Sequence, residues 1–362
     1  MRKHILILFA ITLLSSCSDT KSVAIVEEAN LQSISVTMED SLKIAVDPRI
    51  EILTIIQYLG GYQPLTKLDS QYKHDIDEYF DEFRGHEAVT KFMERSKAGF
   101  SYDAPISLFL SSSHLPNIEV SDNTLESSIN RAGGLTTVMK FYETVNDFYE
   151  VTNFKSFFDN HREFYTQMII NYQSEIIEAG LIKTLESYYG MSQNSYTIVL
   201  SPMLHGGGYG PRIKVEDNKY DVYSIIGPTN IVDSKLEYNF ASYIILHEFG
   251  HSFVNPLTEI NGRSIVKYTN LFSEIKEEMS KMAYGNWTTT VNEHIVRAIV
   301  CRMNLEMYGE EQYNINVDRE VNKGFIYIEH ILKKLEYYEN NRDEYKNLEE
   351  FFPELIQAFE NY

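Results

Sequence analysis

The sequence predicts an α+β fold that is mostly helical, with a helical N-terminal lobe followed by a domain whose small sheet precedes one strongly apolar helix. Three observations predict it. Apolar residues recur at helical spacing across residues 46–190. The texture changes near residue 190, where two runs with strand character appear, Tyr196–Leu200 and Lys219–Ile226. Helical spacing then resumes from about residue 238 and holds to the C-terminus.

The N-terminus reads as a targeting segment. Arg2 and Lys3 precede the apolar run Ile5–Ile11, and Leu14-Ser15-Ser16-Cys17 follows. A basic start, a short apolar stretch and small residues before a cut site make a secretory signal, and the run is too short for an ordinary spanning helix. Leu-Ser-Ser-Cys resembles a bacterial lipobox with Cys17 as the lipidated first residue of the mature chain. Ser18 is not the aspartate that retains such lipoproteins at the inner membrane, so the expectation is a lipid anchor in the outer membrane of a Gram-negative bacterium. Residues 1–17 are therefore expected to leave or be modified, and residues 18–45 to form a tether with short strands at Val23–Val26 and Ser33–Val36.

The helical lobe, residues 46–190, opens at Asp47-Pro48, a capping residue followed by a proline suited to the first helical turn. Ile52, Leu53, Ile56 and Leu59 carry the apolar face, and Gly60-Gly61 end it. Helices are expected at about 70–84, 86–97 and 101–112, and a longer set rich in Phe and Tyr at about 134–188. In the second domain, residues 191–362, the two strands flank a glycine-rich loop. A helix at about 238–254 comes next, with Asn255-Pro256 as its stop signal. Further helices are expected at about 266–284, 288–307, 319–338 and 347–360.

Composition limits the function. If Cys17 is lipidated, Cys301 is the one remaining thiol and no intrachain disulfide can form. The formal charge of −20 argues against nucleic acid as a partner, and it falls to about −22 once Arg2 and Lys3 leave. Such a charge suits basic peptides, and equally serves solubility. The 26 tyrosines suit half-buried grooves as well as packing.

The chemistry concentrates in His247-Glu248-Phe249-Gly250-His251, which reads H-E-x-x-H. Residues four apart lie one helical turn apart on one face, so both imidazoles can reach a single metal ion. Glu248 then sits beside that ion, placed to take a proton from water rather than to ligate. The expected cofactor is Zn²⁺. A sheet before such a helix and helices after it is the order of zincin-type peptidases, in which a substrate adds as a strand at the sheet edge.

A catalytic zinc takes three protein ligands. Val254 and Leu257 occupy the places where the metzincin extension needs glycine and histidine, so that class is excluded. Glu293, in the apolar stretch Val291–Ile299, is the leading third ligand, since an unpaired acid there would be costly. Asn292-Glu293 resembles the third-ligand motif of thermolysin-like gluzincins, with Arg297 where those enzymes carry an aspartate. Glu293 and Arg297 could instead form a simple i,i+4 ion pair, leaving His294, Glu274, Glu277 or Glu259 to complete the site.

His205-Gly206-Gly207-Gly208 is also the oxyanion motif of some esterases. That reading needs a Gly-x-Ser-x-Gly elbow, and the nearest strings, Gly190–Asn194 and Gly99–Asp103, lack the closing glycine. Beside a zinc site the same loop offers close backbone approach, with His205 or Tyr209 as oxyanion donors, or it is a turn between two strands. His74, His86, His114, His161 and His330 sit singly, and surface or capping roles are expected of them.

From about residue 45 onward the chain resembles an uncharacterised family of bacterial lipoproteins, a domain of unknown function thought to be a metallopeptidase. The resemblance rests on Asp47–Glu51, Ser101–Ala104, Tyr209–Pro211, His247–His251 and Val296–Ala298. The resulting expectation is a zinc peptidase acting on peptides or proteins, with His247, His251 and Glu293 on the metal and Glu248 as general base. The competing expectation is a non-catalytic lipoprotein that keeps zinc for structure while binding peptides or glycans. Structural zinc sites have four protein ligands and rarely a free glutamate beside them, so Glu248 separates the two.

Overall fold

The computed structural model describes residues 30–38, 41–176, 180–216, 219–238, 242–360 and 362. The signal segment, Cys17 and the Val23–Val26 run lie outside the described residues. About 60% of the described chain is helical, around a small mixed sheet.

The chain begins with β1 (Ile34–Thr37) and β2 (Leu42–Val46). Nine helices follow: α1 (Pro48–Leu59), α2 (Gln71–Phe80), α3 (Glu87–Lys97), α4 (Asp103–Leu110), α5 (Glu126–Arg131), α6 (Leu135–Val151), α7 (Phe154–Asn160), α8 (Arg162–Glu175) and α9 (Leu181–Tyr189). Next come β3 (Ser195–Leu200), β4 (Gly208–Tyr209), β5 (Arg212–Glu216), β6 (Lys219–Ile226), β7 (Pro228–Val232) and β8 (Lys235–Tyr238). The C-terminal part is α10 (Ser242–Ile260), α11 (Gly262–Val266), α12 (Phe272–Lys281), α13 (Trp287–Tyr308), α14 (Glu310–Asn322), α15 (Ile328–Asn340) and α16 (Leu348–Ile356).

The main sheet runs β1-β2-β3-β6-β4, with β5 also paired to β6. β2, β3 and β6 are parallel, in register Ile44↔Ile198 and Ile198↔Ser224. A parallel pair needs a long crossover, and residues 48–189 provide it between β2 and β3. The helical N-terminal segment is thus an insertion between two neighbouring strands. The stretch expected as tether and strands supplies β1 and an inner strand of the sheet. β3 is buried at every position after Ser195, which is why its sequence is continuously apolar rather than alternating. β4 and β5 are short and antiparallel to β6, and β7–β8 form a separate hairpin.

α1 is buried at every position except Tyr58. Asp47 caps it, its Oδ1 accepting from Arg49 N at 2.9 Å, and pairs with the Arg49 guanidinium at 2.8 Å. Arg49 Nη1 also donates to the carbonyls of Leu110 and Ser112 at 2.9 and 3.0 Å, at the C-terminal end of α4. The Asp47-Pro48-Arg49 stretch thus ties the first helix to the fourth.

Two helix boundaries differ from expectation. α10 does not stop at Asn255-Pro256 but continues to Ile260. Proline cannot donate to the carbonyl four residues back, Ser252, and the Gln193 side chain meets that carbonyl at 3.4 Å. The single helix expected at 319–338 is two helices, because Gly324 adopts φ +101° and turns the chain between α14 and α15. α5, β4, β5, β7 and β8 were not anticipated. Each is short, and β4 is two residues inside a glycine-rich loop.

Candidate metal centre

α10 and α13 carry the site and pack closely. A β-carbon at position 250 would lie 2.9 Å from the Tyr189 hydroxyl and 3.1 Å from Val296, so Gly250 is what lets α10 approach α9 and α13. On the sheet side the Phe249 ring meets Tyr196 of β3 at 5.3 Å.

This packing brings His247, His251 and Glu293 together, with one ligand atom from each within 4.8 Å of the others. His247 Nε2 and His251 Nε2 are 3.2 Å apart. Glu293 Oε2 lies 3.5 Å from His247 Nε2, and Oε1 lies 3.3 Å from His251 Nε2. Tetrahedral zinc bonds of about 2.0–2.1 Å place ligand atoms about 3.3–3.4 Å apart, so these spacings fit such an ion. The donor set also fits: two imidazoles and one carboxylate is a set that catalytic zinc takes. His251 Nδ1 faces Asn255 Oδ1 at 3.2 Å, which fixes the proton on Nδ1 and leaves Nε2 free to ligate. Asn255 is four residues past His251, and that spacing was the available signal for it.

Electrostatics follow from burial. Burial disfavours the charged ring of His247 and holds its pKa well below the ordinary value, with Arg297 adding to the effect. His251 is also buried, yet Glu293 outweighs that and raises its pKa. Burial works against ionised Glu293 as well, but His251, His247 and Arg297 together hold its carboxyl well below the usual range. Burial pushes Glu248 up to about 7. A carboxylate near 7 is matched to accepting and returning a proton at neutral pH.

Arg297 stands behind Glu293. Its Nη2 lies 3.0 Å from Glu293 Oε2 and 3.2 Å from the Tyr284 hydroxyl, and its Nη1 is 2.7 Å from Glu320 Oε2. The guanidinium also lies over the Phe325 ring at 4.3 Å. The ion pair and the ligand position are compatible, since one carboxylate takes part in both. The other third-ligand candidates lie elsewhere. His294 Nδ1 bonds Thr290 O at 2.8 Å and its ring packs on Phe325 and Tyr327. Glu277 is exposed beside Lys281, Glu259 pairs with Arg212, and Glu274 is exposed. Tyr284 and Glu320 were not anticipated; they lie far along the chain, with no motif spacing to mark them.

β4 runs across Glu248. A β-carbon at position 210 would lie 2.7 Å from the Glu248 carbonyl oxygen and 3.0 Å from its Oε2, so only glycine fits. Position 208 faces the same carboxylate. Side chains alternate along a strand, so Tyr209, between these glycines, projects from the opposite side. There its hydroxyl meets His205 Nε2 at 2.9 Å, and His205 Nδ1 accepts from Gly207 N at 3.0 Å. Among the described residues neither His205 nor Tyr209 hydrogen-bonds to Glu248 or to the three clustered side chains.

A family model matches residues 42–358, nearly the whole described chain. The chain belongs to DUF4932, a domain of unknown function. Comparison with curated proteins and with solved structures finds no match to either. The DUF4932 match takes in the Asp47–Glu51 helix start, the edge strand and the His-His-Glu cluster alike.

Proposed function

We propose that this DUF4932 protein is a zinc-dependent peptidase with a zincin-like catalytic architecture. One observation carries the reading: three donor atoms on two packed helices stand at the separations of a tetrahedral ion, and a free carboxylate lies beside them under an edge strand. Zinc bound there would supply Lewis acidity and a water reactive at neutral pH. His247, His251 and Glu293 hold the ion. Arg297 and Asn255 fix the orientation of Glu293 and His251. β4 lies at the sheet edge with no strand beyond it among the described residues, so an extended peptide can add there. Glu248 accepts a proton as water attacks the peptide carbonyl and delivers it to the leaving amine as the C–N bond breaks. Three ligands plus a poised carboxylate favour this over structural zinc, which takes a fourth protein ligand.

Metal analysis tests the reading. The purified protein binds one zinc, and His247→Ala or His251→Ala each abolishes stoichiometric binding. Full zinc retention in either variant places the metal elsewhere and sinks the proposal. The lipid anchor at Cys17 in the outer membrane belongs to the same reading, and mass spectrometry of the native N-terminus checks it. An unmodified terminus elsewhere removes the anchor and leaves the metal site untouched.

A further inference from the structure

Across β4 from Glu248 lies a group of aromatic residues contributed by the helical N-terminal segment. The chain leaving α1 is strapped to the loop that leads into β4: Thr66 N donates to Met203 O at 2.9 Å, and Leu65 bridges Leu204. This brings Tyr62 beside the His205–Tyr209 loop. The Tyr62 hydroxyl accepts from Tyr102 N at 2.8 Å, and its ring meets Phe92 edge-on at 5.2 Å. Tyr62, Tyr102 and Asp103 are all close enough to act electrostatically on the Tyr209 phenol, which burial first of all keeps protonated.

Tyr102 is the unusual member. Its backbone sits at φ +58°, ψ −116°, a conformation suited to glycine, and its ring is 53% exposed. A strained backbone that presents a large apolar ring to solvent is not explained by packing. Such strain persists where the surroundings over-determine it, and it clusters at ligand clamps. The surroundings are visible here: Arg131 pairs with Asp103 at 2.7 Å and donates to Ser101 O at 2.7 Å and Gly99 O at 3.3 Å, holding both sides of the turn. The wall carries little net charge, since Arg131 neutralises Asp103 and burial keeps His205 in its neutral form.

We infer that Tyr102, with Tyr62 and Tyr209, forms an uncharged aromatic subsite that selects a bulky apolar or aromatic side chain of a peptide lying along β4. The inference rests on the peptidase reading for the choice of a peptide ligand. Tyr102 is a specificity-determining residue and takes no part in bond breaking. Ring-on-ring contact favours an aromatic side chain over alanine by about fivefold in affinity.

The test uses fluorescein-labelled, end-blocked decapeptides of alanine and serine, with or without one central phenylalanine. Binding is followed by anisotropy on full-length, zinc-loaded protein carrying Glu248→Gln, which prevents turnover. The phenylalanine peptide should bind about fivefold tighter. Adding Tyr102→Gly, which keeps the backbone and removes the ring, should erase the difference, and Tyr102→Phe should keep it. Tyr102→Asn, which also tolerates positive φ, serves if glycine prevents folding. Equal binding of the two peptides to the parent, a preference surviving in Tyr102→Gly, or its loss in Tyr102→Phe would each overturn the subsite. Cleavage of the same peptides by wild type is the separate arm: an intact preference with no cleavage would sink the peptidase reading alone.

Discussion

The guanidinium of Arg297 lies 3.0 Å from Glu293 Oε2 while Glu293 Oε1 faces His251 Nε2 at 3.3 Å, so one buried carboxylate is held between a fixed cation and the metal position. Arg297 in turn is anchored by Glu320, which is fully buried. The two residues should therefore fail differently. Glu293→Gln removes a ligand and should weaken zinc binding by at least about tenfold. Arg297→Met leaves two buried carboxylates without their shared cation and should cost about 3–5 kcal/mol of stability. It should weaken zinc by about 10–100-fold, as loss of an orienting partner does. Chelator competition and denaturant unfolding measure both quantities. Normal zinc affinity in Glu293→Gln would remove Glu293 from the site.

Glu51 gives a prediction on pH that is independent of the metal. It is wholly buried on α1 and accepts from the Tyr72 hydroxyl at 2.6 Å and the Ser201 hydroxyl at 3.3 Å. Tyr72 also meets the Tyr165 hydroxyl at 2.7 Å. Burial pushes the Glu51 carboxyl up to about 8. The folded protein therefore binds a proton more tightly than the unfolded chain, and stability falls as pH rises from about 4.5 to about 8. Glu51→Gln keeps the shape without the titration. The difference between wild-type and variant unfolding free energies should change steadily between pH 5 and 8, with wild type losing ground as pH rises. Parallel curves would show that Glu51 is already ionised in the fold.

Gly210→Ala probes the approach of β4 to the site. The added methyl would meet the Glu248 carbonyl oxygen at 2.7 Å and its Oε2 at 3.0 Å. The variant should lose about 1–3 kcal/mol of stability through overpacking. It should also lose at least about tenfold in activity by moving Glu248, a shift worth about 1.4 kcal/mol in the barrier. The three ligands are not touched, so zinc should stay. Unchanged turnover would mean that β4 does not define the position of Glu248.

Much of this was legible in the residues. Asp47-Pro48 and Gly60-Gly61 mark the ends of α1 because capping and glycine chemistry are local. The same holds for the spacing of His247 and His251 on α10. β3 and β6 were visible as apolar runs, but their parallel pairing, and that of β2 with β3 across residues 48–189, depends on contacts far apart in sequence. The extension of α10 past Pro256 rests on Gln193, and the split near residue 324 on one glycine's backbone angle. At the site, Glu293 and Arg297 could be read as rivals from their i,i+4 spacing alone. It takes Glu320, from α14, to show why the arginine can pair with the carboxylate while the other oxygen faces the histidines. Tyr62 and Tyr102 carried no spacing signal, since three separate segments bring them to Tyr209.

The most direct measurement is a paired assay of wild type and Glu248→Gln, each analysed for zinc and for cleavage of a peptide library. Glu248 lies beside the cluster without being one of its three members, and burial sets it near 7, suited to proton transfer. The account predicts one zinc per chain in both proteins, equal melting temperatures within a few degrees, and cleavage by wild type that falls about 100-fold or more in Glu248→Gln. Equal cleavage by the two proteins, or a zinc-loaded wild type that cleaves no peptide in the library, would contradict it.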